Sequence, residues 1–167
     1  MKFRKIIALC LAVCAALALA SCSSSSAKTN VTFSISAGST AICSGYKVSV
    51  EKKDPVVLDA INAAIDKYGL KITFTSDESR INGVNEYTET VDGEDTYFWS
   101  FTVNGNKPTA GDSSKITTYG IKDGDEIGLV FYRYNSADNK DYVYDDATDR
   151  AFTAAGEATD APVDAAE

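Results

Sequence analysis

The chain has no histidine among its 167 residues. That absence removes the Ser-His-Asp triad, the Cys-His dyad and every imidazole-ligated zinc, copper or haem iron. Basic residues are also scarce. Sixteen Lys and Arg stand against 24 Asp and Glu, a formal net charge of −8. Nucleic acid is excluded as a partner on that balance, because phosphates are neutralised by Lys and Arg. Tryptophan occurs once, at position 99. An apolar fraction of 44 % is nonetheless enough for one domain with a core of its own.

Lys2, Arg4 and Lys5 precede an uncharged apolar run of 15 residues, Ile6 to Ala20. A membrane-spanning helix needs about 20 such residues, whereas the central region of a signal peptide needs fewer. The run ends in Leu19-Ala20-Ser21-Cys22, which resembles a bacterial lipobox. Small residues there let an extended chain enter a peptidase cleft, and the Cys22 thiol is the nucleophile that takes a diacylglycerol. The resemblance implies cleavage of residues 1–21, acylation of Cys22 on sulfur and amine, and an extracytoplasmic protein anchored to the bacterial cell membrane. Cleavage would remove three positive charges, moving the formal net charge from −8 to −11. It would also remove Cys10 and Cys14, leaving Cys43 as the one unmodified cysteine and no internal disulfide. With no histidine or second thiol beside it, Cys43 is read as a small, partly buried apolar residue.

The rest divides into a lipid anchor and Ser-rich tether over 22–30, a domain over 31–134, and an acidic low-complexity tail over 135–167, with both flanks expected to be disordered. Val31, Phe33, Ile35 and Ala37 alternate with polar residues as a half-buried strand does, and Tyr46, Val48 and Val50 repeat the pattern. Asp54-Pro55 reads as the N-cap and first position of a helix carrying Val57, Leu58, Ile61, Ala64, Ile65 and Tyr68 on one face, with Gly69 as its stop. Lys71 to Thr75 is a short strand, and Asn82-Gly83 and Asp92-Gly93 are hairpin turns. Tyr97, Trp99, Phe101 and Val103 alternate along the strongest strand, which ends at Asn104-Gly105; Asp123-Gly124 introduces the last strand, Ile127 to Tyr134. The order predicts an α+β fold, a β-grasp-like single domain with one amphipathic helix packed on a mixed or antiparallel sheet.

The runs Ser79-Arg80-Ile81-Asn82-Gly83-Val84, Tyr97 to Gly105, and Lys122-Asp123-Gly124-Asp125-Glu126-Ile127, with Gly111 and Tyr119, resemble a known module. It is the bacterial domain of unknown function related to the C-terminal domain of transcobalamin and intrinsic factor. The resemblance covers about Val31 to Tyr134 and implies a β-grasp-type, soluble-ligand-binding domain without catalytic activity. In the cobalamin carriers the corresponding strand helps cover the corrinoid, which points to Trp99, Ser100 and Phe101 as ligand-binding residues. The carriers have a glutamine at the position of Ser100 and a helical barrel for which this chain has no room.

The residues themselves give a second reading of that strand. Tyr97, Trp99, Phe101 and Val103 form a packed core face, with Phe98, Ser100 and Thr102 on the opposite side. One helix covers one face of a sheet, so exposed aromatics on the other face would mark a binding surface. Phe131-Tyr132-Arg133-Tyr134, Tyr142 and Tyr144 supply further candidates.

Three functions are therefore expected to compete. The first is a surface lipoprotein that captures a small planar ligand, a corrinoid such as cobalamin, and passes it to a membrane transporter. The second is a protein- or glycan-interaction module. The third is a carboxylate metal site in which Asp92, Glu94 and Asp95 converge with Asp123, Asp125 and Glu126, the last three being the principal metal candidates. The acidic stretch Asp138 to Asp146 is a further calcium candidate, although it lacks the glycine turn and closing glutamate of an EF-hand loop. Catalysis is the weakest class: carboxylates beside glycine in tight turns lack the burial that raises a pKa, and Ser113-Ser114-Lys115 sits in a polar loop.

Overall fold

The computed structural model describes residues 28–109 and 114–152. β1 (Lys28–Ala37) and β2 (Thr40–Glu51) form an antiparallel hairpin. Val31, Phe33, Ile35 and Ala37 are buried, as their alternation requires. The strand starts at Lys28, opposite Glu51, and Thr29 is already buried, so residues 28–30, expected in the tether, are corrected to belong to β1. Cys43 lies in the core, and burial pushes its thiol pKa up.

The helix α1 (Val57–Tyr68) buries Val57, Ala60, Ile61 and Ala64 and ends at Gly69, whose φ of 67° suits glycine. Its start differs from the expected Asp54-Pro55 cap. Val56 is the N-cap, and Asp59 Oδ2 accepts from its N–H at 2.8 Å. The N–H groups of Val57 and Leu58 donate to the carbonyls of Tyr119 and Ile116, each at 2.9 Å. Pro55 is buried, and its carbonyl accepts from Ile121. Main chain from residues 116–121 thus occupies the orphan donors that a side-chain cap would otherwise take.

β3 (Ile72–Phe74), β4 (Ile81–Val84) and β5 (Tyr87–Thr88) form a three-stranded antiparallel sheet. Asn82-Gly83, expected at a turn, lies inside β4; the chain reverses after it, where Asn85 has a φ of 52°. A Cβ on Gly83 would come within 3.0 Å of Thr88 Cγ2 and 3.1 Å of Thr73 Oγ1, so the glycine lets both neighbouring strands approach without displacing those side chains.

The larger sheet contains β6 (Thr90–Asp92), β7 (Asp95–Val103), β8 (Glu126–Asn135) and β9 (Lys140–Val143) together with the first hairpin. Its order is β2-β1-β8-β7-β6, with β1 and β8 parallel and the other pairs antiparallel. β9 pairs with β8 on the same edge as β1, beyond the point where β1 stops. Asp92-Gly93 and Asn104-Gly105 sit at turns as expected. The result is a mostly-sheet domain with one helix among the described residues. One face of the sheet is covered piecewise, by α1 over β2 and β1 and by β4 and β5 over β7.

The acidic tail expected from Asn135 is corrected as far as Phe152. β8 reaches Asn135, β9 follows, and Tyr144 and Asp149 are buried. The ring of Tyr144 lies 5.4 Å from that of Phe131 and 5.9 Å from that of Phe152. Few apolar residues suffice here because they dock onto an aromatic surface that the rest of the domain has already built. Asp149 is held 3.1 Å from Arg133 Nε. The expected signal peptide, Cys22, Gly111, Ser113 and residues 153–167 lie outside the described residues. No described helix is long and apolar enough to cross a membrane.

Candidate functional site

Alternation along β7 decides what its side chains can do. Trp99 and Phe101 point into the core and are 4 % and 2 % exposed. The indole N–H of Trp99 donates to the Tyr87 carbonyl at 2.8 Å, and its ring packs 5.0 Å from that of Phe131. Phe101 meets Tyr119 edge-on at 5.3 Å. The expectation that both aromatics offer a platform to a ligand is corrected: the packed-core reading holds for their side chains, because a sheet face covered by β4, β5 and the C-terminal aromatics leaves them no water to exchange for a ligand.

Phe98, Ser100 and Thr102 take the opposite face and are half-buried. Phe98 stacks on Tyr132 with ring centres 5.9 Å apart, and Lys107 Nζ lies 4.1 Å above the Tyr132 ring. The same ammonium pairs with Asp141 at 2.7 Å. Sequence reasoning placed no weight on Lys107. Its nearest signal was the turn at Asn104-Gly105, which returns the chain over the strand it has just left.

A cleft of about 250 Å³ runs beside β7 and is lined by Phe98, Trp99, Ser100 and Phe101 on one side. Ser79, Arg80, Ile81, Glu89, Ser114 and Ile116 line it as well, together with Lys107, Pro108 and Asp141. All three residues singled out from the sequence therefore line one cavity, although Trp99 and Phe101 are almost wholly buried. The 75–80 loop is shaped by Asp77, whose Oδ1 accepts from Thr75 Oγ1 at 2.7 Å, Ser79 Oγ at 2.9 Å and the Ser79 N–H at 3.1 Å. Those bonds, the hydroxyl ones foremost, hold the Asp77 carboxyl down at about 2. Within the cleft, Arg80 faces Glu89 at 3.7 Å.

The carboxylates expected to share a metal are kept apart. Asp95 pairs with Asn135 at one end of the β7–β8 ladder and Ile127 with Val103 at the other, about 27 Å away at strand rise. Asp123 and Asp125 are also each engaged by hydrogen bonds of their own. Asp123 Oδ1 accepts from the Asn30 N–H at 2.7 Å, which with the Asn30 amide lowers its pKa. Asp125 accepts from the Lys122 N–H at 2.7 Å and the Asn104 amide at 2.9 Å. At the opposite end, Asp92 faces Arg150 and Asp95 faces Arg133. In the 138–146 stretch, Asp146 accepts from Ser39 and Asp138 from Tyr142. No group of three or more Cys, Asp or Glu able to hold an ion occurs among the described residues.

No known protein family matches the chain, and neither does any curated protein.

Proposed function

We propose that the protein is a non-catalytic binding module, exported and held at a bacterial membrane by lipid on Cys22, with β-grasp connectivity and its ligand site in the cleft beside β7. The observation that carries this reading is the meeting of Trp99, Ser100 and Phe101 at one cleft. The connectivity is supported by a parallel β1–β8 pair at the centre of the order β2-β1-β8-β7-β6, with the helix following the first hairpin. The charged groups at the cleft are paired with one another, Arg80 with Glu89 and Lys107 with Asp141, which supports binding over catalysis.

The transcobalamin-like resemblance nominates a corrinoid as ligand, handed on to a membrane transporter. Sites that enclose drug-sized ligands occupy about 300–1,000 Å³, so a cleft of about 250 Å³ suits one edge of such a molecule. Calorimetric titration of the purified protein with cobalamin, cobinamide and haem tests this. The expected result is heat with the corrinoids alone, with affinity falling at least ten-fold in Ser100→Lys. Silence with all three at high micromolar concentration overturns the corrinoid. The interaction-module reading is favoured by a different feature: beside the cleft, the stretch of β7 from Phe98 to Thr102 pairs with no strand on the side away from β8 among the described residues.

A further inference from the structure

We infer that the open edge of β7 takes a short, uncharged, extended peptide as an added strand in line with β6. This deepens the binding-module reading and rests on it. β8 pairs with β7 along its whole length on one side. On the other side β6 reaches only from Asp95 to Tyr97, and Asn106 bridges to Val103. Between them, from Phe98 to Thr102, no strand pairs with this edge among the described residues. The gap is about 17 Å long at strand rise, room for about five residues.

The direction of the free groups follows from the pleat. Val103 N–H donates to the Asn106 carbonyl, on the side away from β8. Main-chain groups of alternate residues point the same way, so Phe101 and Trp99 present their N–H and C=O groups to the cleft. Backbone donors and acceptors lining a cleft gain most from a partner that repeats at strand spacing, and an extended peptide is that partner. A compact small molecule reaches one or two of them. Side chains point to the same occupant, because the one indole donor here is already committed to Tyr87.

Charge narrows the peptide further. The two cations at the cleft, Arg80 and Lys107, already face Glu89 and Asp141. An anionic ligand would have to break one of these pairs, whereas a neutral segment leaves both in place. Ser100 and Thr102, on the open face of the same stretch, suit a partner that alternates small polar and apolar residues.

The test uses the full chain and a blocked pentapeptide, acetyl-Thr-Val-Thr-Val-Thr-amide, at millimolar concentration, with amide hydrogen exchange as the readout. Exchange at Trp99 and Phe101 is expected to slow at least ten-fold. N-methylation of one alternate set of peptide residues should abolish the effect, while methylation of the other set leaves it. Unchanged exchange at both residues overturns the proposal. So does an equal response to the two methylated peptides, or slowing confined to Phe98 and Tyr132, which would place the peptide on the open face. Corrinoid heat without peptide protection refutes the added strand and leaves the binding module standing; absence of both refutes both.

Discussion

Trp99 and Phe101 have lost nearly all contact with water on the covered face of β7, while the outer edge of the same residues meets no strand among the described residues. The two regions differ in what they require of the sequence. The covered face is built from side chains, and Tyr87, Trp99, Phe131, Tyr144 and Phe152 close over it in edge-on and tilted contacts between 5.0 and 6.4 Å. The edge is built from main chain and tolerates many side chains. Stability is therefore expected to sit in the first region and recognition in the second.

The largest effect should come from Phe131→Ala. Phe131 is fully buried and touches every ring of the cluster. Loss of such a ring costs about 3–5 kcal/mol, and chemical denaturation should show it as a lower midpoint with little change in slope. Trp99→Phe should cost less, about 1–3 kcal/mol, since it keeps an aromatic ring but leaves the buried Tyr87 carbonyl without its donor. Ser100→Lys should change stability by only about 0.5 kcal/mol, as half-exposed positions usually do, while disturbing the cleft. A Ser100 variant that unfolds as readily as Phe131→Ala would dissolve the comparison.

How much of this could be read in advance follows the same division. Alternation in Val31–Ala37 and Tyr97–Val103, and helical spacing from Val57 to Ala64, placed the core faces because side-chain periodicity reports burial directly. Asp92-Gly93 and Asn104-Gly105 placed turns because their backbone geometry favours those residues. Asn82-Gly83 misled because glycine serves close approach as well as turning. The N-terminus of α1 was misplaced because its donors are met by residues 116–121, a pairing that no local pattern announces. Tyr144, expected as a surface candidate, is buried, and Phe152 went unmarked among the acids, for a similar reason: docking onto Phe131 needs single aromatics and no period. At the cleft, Trp99, Ser100 and Phe101 were legible as a group, but their division into core and edge depends on β4, β5 and the C-terminal segment arriving from elsewhere in the chain.

The smallest expected effect sharpens the comparison with pH, because a carboxylate at each region is shifted in the opposite direction. Asp77, beside the cleft, is held down at about 2 by the hydroxyls and N–H that donate to it. A depressed carboxyl contributes stability above its unfolded value, near 3.9, and that contribution is lost as pH falls through about 2. Asp149, beneath the C-terminal segment, is raised: burial outweighs the Asp145 N–H and Arg133, which both act to lower it. Its contribution is present below the unfolded value and is lost as pH rises through the folded one. Acidification from neutral pH should thus first tighten the C-terminal segment and only later loosen the 75–80 loop. Amide exchange at Tyr144, whose N–H donates to the Phe131 carbonyl at 3.1 Å, and at Ser79, whose N–H donates to Asp77, reports each separately once corrected for intrinsic rates. Protection at Tyr144 should rise on acidification through the Asp149 titration, and the rise should move to still higher pH in Arg133→Gln. Parallel loss at both amides would show that the two regions open together, and that the cleft and the aromatic cluster behave as one unit.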